Sequence, residues 1–184
     1  MSASNVTPEQ EFVFEFLERN ARAVATLGDS VFYFGELGMQ EVETAGLMTE
    51  LLEAGGFEVE RGISGFPTGF KATYGTGSPV IALHTEYDAN PDNSQVSGVA
   101  EKQNITAGAP GHCEGHNCNA AVMVSGALAL ARAMDEFGDY RQFISLPQPP
   151  IEDVTTPEQG AELARIANDA MAQLVNDHRD RFPA

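Results

Sequence analysis

Residues 119–134, NAAVMVSGALALARAM, carry small and branched apolar side chains at every turn and a single charge, Arg132. A helix with this pattern has no polar face to offer water, so it must be covered on nearly all sides. A second run, PVIAL at 79–83, is short and continuously apolar, the pattern of a strand covered on both faces. Val80–Leu83 is therefore expected in a central strand. Helices packed on a sheet satisfy both demands, which predicts an α/β fold, a layered αβα sandwich.

The remaining elements fit that order. Thr7 can cap a first helix, with Pro8 at its first position and Gln10 completing a capping box. Phe12, Val13, Phe16, Leu17, Ala21 and Val24 give that helix one apolar face. A second helix is predicted over Val42–Ala54, with Ala45, Met48, Leu51 and Leu52 inward and Gly55-Gly56 ending it. FEVERGI and GFKATYG are short runs punctuated by Gly and Pro and read as strands. Residues 89–111 form a long loop rich in Asn, Ser, Pro and Gly, a length usually tied to function or disorder. After the buried helix come a strand candidate at Arg141–Leu146, a Pro-rich turn, and an amphipathic helix opened by Thr156, Pro157 and Gln159. Leu163, Ile166, Ala167, Ala170, Leu174 and Val175 form its stripe, ending near Asp177.

Charge narrows the partners. Twenty-seven acidic residues against ten basic ones give a formal net charge of −17 over 184 residues. Such a field repels phosphate backbones and anionic lipid, so neither nucleic acid nor a membrane is expected as a partner. No stretch approaches the ~20 apolar residues that span a bilayer. The first residues, MSASNVTPEQEFVF, lack the basic-then-apolar order of a signal peptide. Two cysteines make no disulfide framework. A cytoplasmic location is expected; self-association is left open.

The chemistry concentrates in GAPGHCEGHNCNAA at 108–121, on a loop entering the buried helix. Glu114 and His116 suit a divalent ion, with bonds near ~2.0–2.2 Å, and Gly115 between them permits the turn that brings them together. Cys113 and Cys118 could instead supply thiolates in a Cys–His–Cys set. His112 and both cysteines could equally pack or face solvent. HTEYDAN, at the end of the apolar strand, is the second cluster, where α/β sheets place ligand sites. Glu86 and Asp88 alternate and share a face in an extended chain, as ion ligands, as supports for a ligand, or as solvated acids. His84 has the same parity.

Together these pieces resemble the metallopeptidase family of aminoacylases, carboxypeptidases and aminobenzoyl-glutamate hydrolases. The resemblance lies in FGELGMQEVE…HTEYDANP and GAPGHCEGHNCNAAVMVSGALALA, from about Thr7 to Ala131. These segments are similar to the family's PELGFEE, EYDALPG and GHGCGHN, and the branch most alike is that of the aminobenzoyl-glutamate amidohydrolases. The resemblance implies a two-metal site, zinc or manganese, that hydrolyses amide bonds of N-acyl amino acids or short peptides. His116 falls on the family's His ligand. Glu114 falls where that branch has a Cys ligand, replacing a soft donor with a hard one and favouring ions such as manganese. Asp88 matches the acid of EYDA, as ligand or as support for one.

The family also implies a Glu-Glu pair whose first member is the general base, two further His ligands and a lid domain. Glu152, in PPIEDV, stands at a comparable distance from His116 and is the candidate catalytic residue. Residues 134–184 resemble instead a strand–loop–helix segment of the amidohydrolase–decarboxylase barrel family. The expected organisation is thus a metallopeptidase-like part at 1–133, incomplete, and an amidohydrolase-like segment at 134–184. The expected function is a metal-dependent amidohydrolase with little activity from this chain alone. The alternatives are a non-catalytic α/β domain holding at most one ion, or a fragment of a decarboxylase-type amidohydrolase.

Overall fold

The computed structural model describes residues 6–76, 80–138 and 156–177. The chain divides into two compact units, residues 1–76 with 82–137 and residues 77–81 with 138–184.

In the first unit, α1 (Pro8–Arg19) opens with the expected capping box. Thr7 Oγ1 accepts from the Gln10 amide at 3.3 Å, and the Gln10 side chain accepts from the Thr7 amide at 3.0 Å. The apolar face predicted to run unbroken into Val24 is interrupted at Asn20. The Asn20 side chain donates to the Phe16 carbonyl at 2.7 Å, beside the Asn20 amide that donates to the same oxygen at 3.1 Å. The chain resumes as α2 (Ala21–Phe34), which buries Leu27 and Val31. It ends at Gly35 in the left-handed region, φ +54, where a Cβ would also lie 3.1 Å from the Pro110 carbonyl oxygen.

Helix α3 (Val42–Ala54) has the predicted bounds. Met48 and Leu52 point inward as expected, whereas Leu51 is exposed and Thr44 and Thr49 are buried in its stead. Both threonines are satisfied: Thr49 Oγ1 donates to the Ala45 carbonyl at 2.7 Å, and Thr44 Oγ1 donates to Glu36 at 2.8 Å. The Glu36 carboxylate also accepts the amides of Glu43 and Thr44, both at 2.9 Å, and so caps α3 from outside the helix.

Strands β1 (Glu58–Arg61) and β2 (Phe70–Thr73) pair antiparallel, Val59 opposite Ala72 and Arg61 opposite Phe70. Val59, Phe70 and Ala72 line one face and pack on the core, while Glu60 and Lys71 pair at 2.6 Å on the other. Helix α4 (His116–Glu136) is the predicted buried helix. Its Ala120, Ala121 and Val124 meet Leu27, Val31, Met48 and Leu52 to form the core. Helices α2 and α4 cross at Gly28, where an added Cβ would be in ordinary contact with that of Ala121, at 3.5 Å.

Val80–Leu83 departs from expectation. The segment is in no strand, and Val80, Ile81 and Leu83 are 82%, 37% and 47% exposed. An apolar run becomes a central strand only when other strands take its backbone groups on both edges. Among the described residues the one ladder is β1 with β2. The described residues form helices and a small two-stranded sheet, compatible with an α/β fold.

In the second unit α5 (Pro157–Asp177) is the predicted tail helix. Ile166 and Ala170 of its stripe are exposed, and Val175 is half-buried. Arg165 pairs along the helix with Glu162 at 2.6 Å and Asp169 at 2.7 Å. The strand candidate Arg141–Leu146 and Glu152 lie outside the described residues. No described helix is long and apolar enough to cross a membrane.

Candidate metal centre

Three local devices bring HTEYDAN and GHCEGHNC together. The Ala89 amide donates to the Glu36 carbonyl at 2.7 Å, tying the end of the first segment to the residue that caps α3. Asn90 and Gly111 exchange backbone hydrogen bonds, both 3.0 Å, tying it to the loop before α4. Gly115, at φ +94, then turns the chain into α4, whose first residue is His116.

His116 is the centre of the resulting cluster, its side chain 17% exposed. Its Nδ1 lies 2.9 Å from Asp88 Oδ1 and 3.2 Å from the Asp88 carbonyl oxygen. Both partners only accept, so Nδ1 carries the proton and donates. Nε2 of a neutral ring is then a lone pair, and it faces Glu86 Oε2 at 3.2 Å and Glu114 Oε1 at 4.0 Å. A lone pair opposite a carboxylate is repulsive unless a proton or a cation lies between them. The three carboxylates are about half exposed and lie near the N-terminus of α4.

Imidazole and carboxylate are donors that divalent ions accept. Two ligands with bonds of about 2.0–2.2 Å to a tetrahedral ion stand ~3.4 Å apart; Glu86 lies near that spacing from Nε2 and Glu114 beyond it. Asp88 on Nδ1 is the carboxylate–histidine arrangement that orients an imidazole ligand. Among the described residues no three or more His, Cys, Asp and Glu side chains converge closely enough to hold an ion as they stand.

Asp88, Glu114 and His116, singled out in the sequence, thus come together. Glu86, one of the alternating acids, faces Nε2 more closely than Glu114 does. Asn90 was not anticipated: its amide donates to Glu114 Oε1 at 2.6 Å and to Cys113 Sγ at 3.3 Å. Its signal lay in the sequence, since EYDAN carries an amide where EYDAL of the family pattern carries leucine. Cys113 and Cys118 are free and exposed, and His84 is exposed.

His112, four residues from His116, has a different task. Its ring is buried, lies 6.4 Å from that of Phe32, and its Nε2 donates to the Val31 carbonyl at 3.0 Å, pinning the loop to α2. Burial lowers its pKa from the usual imidazole value; the Val31 hydrogen bond opposes this, His116 adds to it and Asp88 opposes it. With the folded pKa depressed, the unfolded chain takes up a proton that the folded chain refuses. Stability is thus fully present above about pH 6.5 and is lost as pH falls through the folded value. In His112→Gln that component is expected to vanish. Urea melts at several pH values should show the gap between parent and variant narrowing from about pH 7 to about pH 5. A gap independent of pH would contradict a neutral, buried His112.

No protein-family model matches the chain. A curated relative, one subunit of the p-aminobenzoyl-glutamate hydrolase of Escherichia coli (strain K12), is 32% identical over 127 residues, covering 69% of this chain. The chain spans about a quarter of that relative's length, 26%. The resemblance of residues 134–184 to the amidohydrolase–decarboxylase barrel finds no support in these comparisons. Over the 127 matched residues this chain is a homologue of the aminobenzoyl-glutamate hydrolase-type peptidases.

Proposed function

We propose that the chain carries the ion-binding segment of a metal-dependent amidohydrolase. It would cleave amide bonds of N-acyl amino acids or short peptides, aminobenzoyl-glutamate among them. The observation that carries this reading is the orientation of His116, with Nδ1 held by Asp88 and Nε2 turned to Glu86 and Glu114. The kinship with a hydrolase named for aminobenzoyl-glutamate supports the substrate class. Because that relative is named as one subunit of its enzyme, an assembly with further chains or copies belongs to the same proposal.

In this reading His116, Glu86 and Glu114 hold the ion, zinc or manganese. When bound, such an ion supplies Lewis-acid polarisation of the scissile carbonyl. Asp88 keeps the proton on Nδ1 and fixes the plane of the ring. Asn90 restrains Glu114. Each carboxylate near His116 is then engaged in binding or orienting; a general base must reach the attacking water within about 2.6–3.2 Å, and Glu152, the sequence candidate for it, lies outside the described residues.

Turnover of the chain by itself, with zinc or manganese, is expected to be slight on aminobenzoyl-glutamate and absent in His116→Ala. Product release assayed by chromatography checks both. Robust turnover lost in Glu152→Gln would make Glu152 the working base, whereas turnover that survives His116→Ala would overturn the assignment of the centre.

A second reading has a specific observation behind it. The 3.2 Å from Nε2 to Glu86 also accommodates a proton, leaving a His116 imidazolium bridging Asp88 and Glu86 in a non-catalytic α/β domain. That arrangement takes up no metal, and the two readings part on that measurement.

A further inference from the structure

Glu114 is 55% exposed at its side chain, and an exposed glutamate ordinarily samples many rotamers. Here the Asn90 amide donates to Oε1 at 2.6 Å. Asn90 is itself a fixed anchor, its backbone hydrogen-bonded in both directions to Gly111. The same amide nitrogen lies 3.3 Å from Cys113 Sγ. One side chain thus contacts two potential donors, a carboxylate oxygen 4.0 Å from His116 Nε2 and the Cys113 thiol.

We propose that Asn90 is a positioning residue that presents Glu114 as an oxygen donor to the ion at His116 and holds the Cys113 thiol back, biasing the centre toward hard divalent ions over thiophilic ones. The inference rests on the reading of the His116 cluster as an ion site. Its chemical basis is that carboxylates suit manganese-like ions whereas thiolates select soft ones. A carboxylate oxygen has lone pairs enough to accept from Asn90 and still donate to a cation. Hydrogen-bonding partners of ligands commonly set metal affinity by ~10–100-fold.

The test titrates the full chain with Mn²⁺ and, separately, Cd²⁺ by equilibrium dialysis, with Asn90→Leu, Glu114→Gln, the double variant, Glu114→Cys and His116→Ala. Asn90→Leu is expected to weaken Mn²⁺ binding about 10-fold and Cd²⁺ binding much less, shifting the ratio of the two affinities toward Cd²⁺. In the Glu114→Gln background the same change should add less than about 2-fold, since Asn90 acts through Glu114. Glu114→Cys keeps the anchor and exchanges the donor, so Cd²⁺ binding should rise about 10-fold while Mn²⁺ binding falls. A merely structural Asn90 would weaken both ions equally. Equal weakening, or Mn²⁺ binding unchanged in Asn90→Leu while His116→Ala abolishes it, overturns this inference and leaves the ion site standing. Mn²⁺ binding unchanged in His116→Ala, or none in the parent chain, removes the site and the inference with it. Should Asn90→Leu lose its helical circular dichroism, the Glu114→Cys pair of titrations decides, and a Cd²⁺ affinity no higher than the parent's counts against the proposal.

Discussion

Gly111→Ala is expected to lower the unfolding free energy by roughly 3 kcal/mol, combining overpacking with lost backbone hydrogen bonds. A Cβ on Gly111 would lie 2.5 Å from the Asn93 carbonyl carbon and 2.7 Å from the Ser94 nitrogen, and closer still to the Asn93 oxygen. All three are backbone atoms, so no side-chain rotation relieves the clash. The two arms of the loop would have to separate. They are joined by the paired bonds between Asn90 and Gly111, by the Ser94 amide on the Ala109 carbonyl at 3.0 Å, and by the Gln95 side chain on the His112 carbonyl at 2.6 Å. Urea denaturation measures the loss, and Gly46→Ala provides the contrast. Gly46 lies inside α3 with nothing within 4 Å of a Cβ, so that change should stabilise by up to about 1 kcal/mol through helix propensity. A Gly111→Ala chain as stable as the parent would mean that the loop arms are not in contact. Because the Asn90–Gly111 bridge positions Glu114, the variant is also expected to take up metal less well than the parent.

What could be read from the sequence was local. The capping box at Thr7 is settled within a few residues and stood as expected, whereas α4 is buried along part of its surface, with Val122 and Met134 exposed. The bounds of α3 and the existence of strands β1 and β2 followed from Gly, Pro and hydrophobic period, whereas their antiparallel pairing came only with the fold. The Val80–Leu83 run states a need for cover, but no local pattern can say whether neighbouring strands supply it. Glu36 caps α3 from seven and eight residues before the amides it accepts, outside the spacing at which a capping box is recognised. His112 and His116 are the same residue one helical turn apart in sequence. Only the fold gives the first the Val31 carbonyl and the second the Asp88 carboxylate. Asp88, Glu114 and His116 were visible as types with the right chemistry. The 24-residue separation between Asn90 and Glu114 hid the contact that ties the two segments together.

The net charge of −17 adds a general attraction for cations, so nonspecific uptake has to be separated from the centre itself. Added salt does so, since exposed pairs are screened over about 8–10 Å while a chelating imidazole is not. The most direct measurement is therefore the affinity for Zn²⁺ and Mn²⁺ of the parent and of His116→Ala, by calorimetry at physiological ionic strength. His116 supplies the only nitrogen among the described donors of this cluster, and its removal also strands Asp88. One saturable site in the parent, weakened about 100-fold or more in His116→Ala, is the result expected of a metal centre. Equal affinity in the two chains would contradict it and return His116 to the ion pair with Asp88 and Glu86.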